Sequence, residues 1–157
     1  MLFAIVATLF STVWATAGLD IYVFNVGQAD SQLIVFPSGY SILVDAGETS
    51  TGSMNCKGIA ERIISILGKS HVDVGVVTHL HMDHVGYAGK NGFYYLMEKA
   101  GITFGKLVDR NSGVPKSPGG KCSELEDINW SIVGTTSSTA IRWVCYAANS
   151  GVSSKAY

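Results

Sequence analysis

The chain has 157 residues, with 11 Lys+Arg against 12 Asp+Glu and a formal net charge of −1. Hydrophobic residues make up 47% and charged residues 15%, which excludes a disordered chain. The near-zero charge balance excludes nucleic-acid binding through bulk positive charge, and the length suits one domain.

The first charged side chain is Asp20, and the run from Leu2 to Phe10 is apolar. It gives way to small and polar residues ending Ala15-Thr16-Ala17, which reads as a secretory signal cleaved after Ala17. Its apolar part falls far short of the roughly 20 residues that span a bilayer, so no stable membrane anchor is expected. The mature product is expected to be secreted and extracellular. In that oxidising setting two of Cys56, Cys122 and Cys145 can pair, with Cys122–Cys145 the first choice because both lie in the same late segment. Asn129-Trp130-Ser131 fits the N-glycosylation pattern.

Asp20 to Val26 is rich in β-branched and aromatic residues and predicts a strand, followed by a turn at Gly27-Gln28-Ala29-Asp30. Ser31 to Phe36 predicts a second strand and Tyr40 to Val44 a third, joined by the turn Pro37-Ser38-Gly39. Together they make an antiparallel meander that ends in Asp45-Ala46-Gly47-Glu48. After a polar loop over 48–55, Ile59, Ile63, Ile64 and Leu67 recur at helical spacing, and Gly68 supplies a stop.

Val72 to Thr78 predicts an apolar strand that runs directly into His79-Leu80-His81-Met82-Asp83-His84. A second helix is expected over Gly92 to Lys99, ended by Gly101, and a further strand over Ile102 to Val108. Residues 110–127 are turn-rich and read as a long loop. Ile141 to Ala147 reads as a strand, with a short helix as the alternative. Strands alternating with helices point to an α/β layered domain with a mixed sheet.

Three of the four histidines, with Asp83, fall within six consecutive positions. Imidazole and carboxylate donors together suit Zn²⁺ or a similar divalent transition metal. At a strand end, His79 and His81 project from the same side because side chains alternate with period two. A turn at Met82 would swing Asp83 and His84 toward a second point, so six residues could serve two ions. Leaving such a cluster unliganded in a protein interior would strand several polar groups. The fourth histidine, His71, fits no ligand spacing and reads as a partly exposed polar residue.

The stretch Thr78-His79-Leu80-His81-Met82-Asp83-His84-Val85-Gly86 resembles the H-x-H-x-D-H signature of the metallo-β-lactamase superfamily. With Asn25-Val26-Gly27-Gln28-Ala29-Asp30-Ser31 and Ile42-Leu43-Val44-Asp45-Ala46-Gly47, it is similar to the β-lactamase-like domain of ComEC-type competence proteins, over about residues 20–90. The resemblance implies an αββα sandwich, of which residues 18–157 would form a truncated N-terminal half. It makes His79 and His81 ligands of a first zinc and Asp83 and His84 ligands of a second. Asp83 also takes a catalytic role in orienting the attacking hydroxide, and Asp45 braces the metal loop from behind its ligands. Gly47 and Gly86 would let backbone pass close to the site. Asp30, on a turn at the same edge, is a candidate for touching substrate.

The later ligands of that family have no obvious counterpart here, since no histidine follows His84. Asp109 is the best local substitute. The implied function is a secreted metal-dependent hydrolase, in which a bridging hydroxide attacks an ester, amide or phosphodiester. The alternative is a catalytically inactive metal-binding fragment. A half-sandwich would expose an apolar sheet face, so a partner chain that completes the second layer is a further expectation.

Overall fold

The structure is a computed structural model that describes residues 18–47, 55–110, 114–115, 125–126, 138–149 and 153–156. The signal segment, the polar loop over 48–54, Cys122 and the glycosylation pattern at Asn129 lie outside the described residues.

Three strands open the domain: β1 (Asp20–Val23), β2 (Gln32–Val35) and β3 (Ser41–Val44). They pair as the expected antiparallel meander, with Ile21 opposite Ile34 and Ile34 opposite Ile42. β1 is shorter than its β-rich sequence suggests, because the ladder closes at Val23 opposite Gln32. Phe24 and Val26 nonetheless turn into the core.

Helix α1 (Cys56–Leu67) follows. The Asn55 side chain caps it by accepting the Gly58 N–H at 3.0 Å. Gly68 ends it at φ +65°, where a residue without Cβ pays no steric penalty, and its N–H returns to the Ile64 carbonyl. The buried face runs through Cys56, Ile59, Ala60 and Ile63, so Ile64, part of the expected stripe, lies outside it. Full burial of side chains such as Ile59 and Ile63 contributes roughly 1.5–3 kcal/mol each.

Strand β4 (His71–Val76) lies parallel to β3, and β5 (Thr103–Asp109) lies parallel to β4. Between them come the single turn α2 (Met82–Val85) and helix α3 (Gly92–Glu98). In both central strands the buried positions are three apart, Val72 with Gly75 and Phe104 with Leu107. The ladder stays in step because Val72 faces Phe104 and Gly75 faces Leu107. Gly75 is closely packed: a Cβ there would press on Leu107, Phe104 and Phe93 at 2.9 Å each.

Beyond β5 the structure corrects two expectations. The turn-rich stretch 110–127, expected to be loop throughout, carries β6 (Val114–Pro115) and β7 (Leu125–Glu126), which form a small antiparallel ribbon. Ile141 to Ala147 is helical, inside α4 (Ser138–Asn149), and not a strand. Its β-branched and aromatic content suggested a strand, yet Trp143, Val144 and Ala147 are the buried positions, at the i, i+1, i+4 spacing of a helix face. Trp143 packs against Phe93 and Tyr94 of α3, with ring centroids 5.6 and 5.9 Å apart. Tertiary contact thus outweighs the local preference of the segment. Strand β8 (Ser153–Ala156) then joins the sheet parallel to β5.

The domain is therefore α/β, with one mixed sheet in the order β1-β2-β3-β4-β5-β8. Each parallel step is bridged by a helix, and the core packs those helices against the sheet. Ile21 and Val23 on the edge strand are exposed, at 57% and 71%. Ile34, Ile42, Val74 and Val76, which share their rows through the ladder register, are half-buried. No helix among the described residues is long and apolar enough to cross a membrane.

Candidate metal centre

Parallel strands place their carboxyl ends at one edge of a sheet, where open α/β domains form their sites. Here β3 delivers Asp45 to that edge and β4 delivers Thr78 and the histidine loop. The two strand ends are tied directly, since the Asp45 N–H donates to the Val76 carbonyl at 2.8 Å.

Backbone hydrogen bonds then stitch three turns into one platform. The Ala46 N–H donates to the His84 carbonyl (2.9 Å), the Asp30 N–H to the Asp83 carbonyl (3.2 Å), and the Gly47 N–H to the Asp30 carbonyl (3.2 Å). Gly47 is required by this crossing, because a Cβ there would overlap the Asp83 carbonyl. Gly86 meets the same demand on the other side of α2: its φ is +94°, and a Cβ would collide with the backbone of Asn91 and Gly92. Ser31, fully buried, adds a hydroxyl bond to the Asp45 carbonyl at 3.2 Å.

Asp45 is fully buried and sits at φ +54°. Its Oδ1 accepts the Thr78 N–H at 2.8 Å. Its Oδ2 accepts the Thr78 hydroxyl at 2.6 Å and lies 2.8 Å from His84 Nδ1. A carboxylate on one ring nitrogen orients a histidine and leaves the other nitrogen as a donor to a cation. That other nitrogen, His84 Nε2, stands 3.8 Å from Asp83 Oδ2. Two ligands each about 2.1 Å from a common ion are separated by distances of this order.

His79, Asp83 and His84 each offer a donor atom within 4.8 Å of the other two. The rings of His79 and His84 lie 3.7 Å apart, centroid to centroid. Crowding among the imidazoles shows in His79, whose pKa is lowered by burial first and then by the neighbouring His84 and His81. Asp45 and Asp83 oppose that shift. A ring held neutral is the form that binds a metal.

The donors group differently from the pairing expected along the hexapeptide. His79 converges with Asp83 and His84, whereas His81 is exposed and stands outside that set, its ring 4.9 Å from that of His79. Asp30 reaches the site more closely than a rim position would suggest. Its carboxylate falls in a second group with Asp45 and His84, again within 4.8 Å, and Gln32 Nε2 donates to its Oδ1 at 3.1 Å. His84 belongs to both groups, but its Nδ1 is committed to Asp45.

Two residues are placed away from this centre. His71 begins β4, at the far end of the strand, where its Nδ1 is 2.9 Å from Thr103 Oγ1. Asp109 ends β5 and lies outside both donor groups. Its Oδ2 accepts the Trp143 Nε1–H at 2.6 Å, so it anchors α4. Burial pushes its pKa up to about 6 against that hydrogen bond.

Thr78 is the site residue that the sequence reading passed over. The available signal was its position, directly between an apolar strand and the first histidine. Of the cysteines, Cys145 is disulfide-bonded. Cys56 remains a buried thiol that accepts the Gly92 N–H at 3.1 Å. No protein-family model matches the chain, and no curated protein matches it.

Proposed function

We propose that the chain is a metal-dependent hydrolase-like domain, built as the first half of a metallo-β-lactamase-type sandwich and active after export. One observation carries the reading: His79, Asp83 and His84 converge, and His84 is held by the buried Asp45 so that Nε2 faces Asp83. The donor set of two imidazoles and one carboxylate suits Zn²⁺. When bound, such an ion supplies Lewis acidity and acidifies a coordinated water, the chemistry needed to cleave an ester, amide or phosphodiester. The chain's own part is to hold the two imidazoles rigid through Asp45 and to present Asp83 as a ligand and orienting carboxylate. The Cys145 disulfide accords with an oxidising, extracellular compartment.

The test is direct. Purified 18–157 is dialysed against zinc, its bound metal is measured, and a generic phosphodiester is offered. About one zinc or more per chain, lost in His84→Ala, supports the reading. A wild-type chain that retains no zinc ends it.

A second reading, a metal-binding domain without turnover, is favoured by the grouping of donors. The second set draws on Asp45, which is occupied by Thr78 and His84, so the described residues offer one three-donor set clear of that bond. One zinc per chain with no hydrolysis of ester or phosphodiester selects it.

A further inference from the structure

Asp45 is in contact with more than His84. Its Oδ2 also accepts the Thr78 hydroxyl, and the same hydroxyl oxygen lies 3.2 Å from His79 Nδ1. A hydroxyl has one proton, and a carboxylate can only accept. With its proton on Asp45, Thr78 Oγ1 meets His79 as an acceptor, so the contact requires the proton of a neutral His79 to sit on Nδ1. The approach of Thr78 Oγ1 to His84 Nδ1 is longer, at 3.5 Å, and His84 has the closer carboxylate. The Thr78 main chain is pinned independently, through its N–H to Asp45 Oδ1 at 2.8 Å. Thr78 is exposed, so packing does not account for its hydroxyl.

We propose that Thr78 is a positioning residue: it relays Asp45 to His79, fixing the ring in the tautomer whose Nε2 is bare for a cation. One buried carboxylate would then orient both imidazoles, His84 directly and His79 through a hydroxyl. The use of this arrangement rests on the metal reading above, but the tautomer is a property of the metal-free chain and is measured without it.

The experiment uses the 18–157 chain with ¹⁵N-labelled histidine. Long-range ¹H–¹⁵N correlation spectra assign the tautomer of each ring in the metal-free protein, and competition with a chelator gives zinc affinity. Wild type is expected to show His79 protonated at Nδ1. Thr78→Val removes the hydroxyl but keeps the shape and the main-chain bond. It should mix the His79 tautomers, leave His84 unchanged, and weaken zinc binding by about 10–100-fold, the usual effect of losing a ligand's supporting partner. Thr78→Ser should restore both readouts. A wild-type His79 protonated at Nε2, a valine variant with unaltered tautomer, or a serine variant that fails to restore it overturns the proposal. Absence of zinc binding in wild type would defeat the metal reading alone, because the tautomer measurement still decides the role of Thr78.

Discussion

Asp109 offers a perturbation whose size follows from the structure. Its carboxyl is largely buried at the end of β5 and accepts a hydrogen bond from Trp143 Nε1–H. Burial raises its pKa from 3.8 to about 6. A raised folded value means that the fold favours the protonated acid. Below pH 3.8 the group is protonated both folded and unfolded, and folding bears no penalty. As pH rises toward about 6 the unfolded chain ionises first, and stability falls; above that the loss stays constant. At about 1.4 kcal/mol per pH unit the full loss approaches about 3 kcal/mol, an upper value because Asp109 keeps some contact with water. Asp109→Asn is neutral at every pH, and its carboxamide oxygen can still accept from Trp143. The variant should therefore match wild type near pH 4 and exceed it at pH 7, with a melting temperature higher by roughly 5–10 °C. Thermal melts of both proteins across pH 4–8 give the comparison. A stability difference that does not change with pH, or an asparagine variant that is weaker at pH 7, would refute the reasoning.

Two further outcomes follow from the platform. Gly47→Ala forces a methyl group into the Asp83 carbonyl and must separate the β3 turn from the histidine loop. We expect a loss of at least about 2 kcal/mol in urea denaturation, together with weakened zinc binding. His71→Ala removes an imidazole at the opposite end of β4, bonded to Thr103. It should leave zinc stoichiometry unchanged and shift stability by no more than about 0.5 kcal/mol, which makes it the control for every change in the cluster.

The elements that the sequence revealed are those whose signals are local. The meander over residues 20–44 is rich in β-branched and aromatic residues and is punctuated by Gly27 and Gly39, both at positive φ in the structure. Helix α1 announces itself through Ile59 and Ile63 and stops at a left-handed Gly68. The candidate donors were equally plain, since three imidazoles and a carboxylate fall within six consecutive positions. The segment 141–147 was not legible in the same way. Its residues suit either backbone, and the choice belongs to Trp143, whose partners Phe93, Tyr94 and Asp109 lie on α3 and β5, far away in sequence.

The site divides along the same line. Residue type and spacing named His79, His81, Asp83 and His84, and the family resemblance added Asp45, but which donors share a point depends on strands far apart in sequence. The parallel pairing of β3 with β4 brings residue 45 to residues 78 and 84, and a turn at residue 30 closes over both. Side-chain type sets what a group can bind, and the chain carries that openly. Convergence to within a few ångströms is set by long-range pairing, and neighbours along the chain hold no record of it.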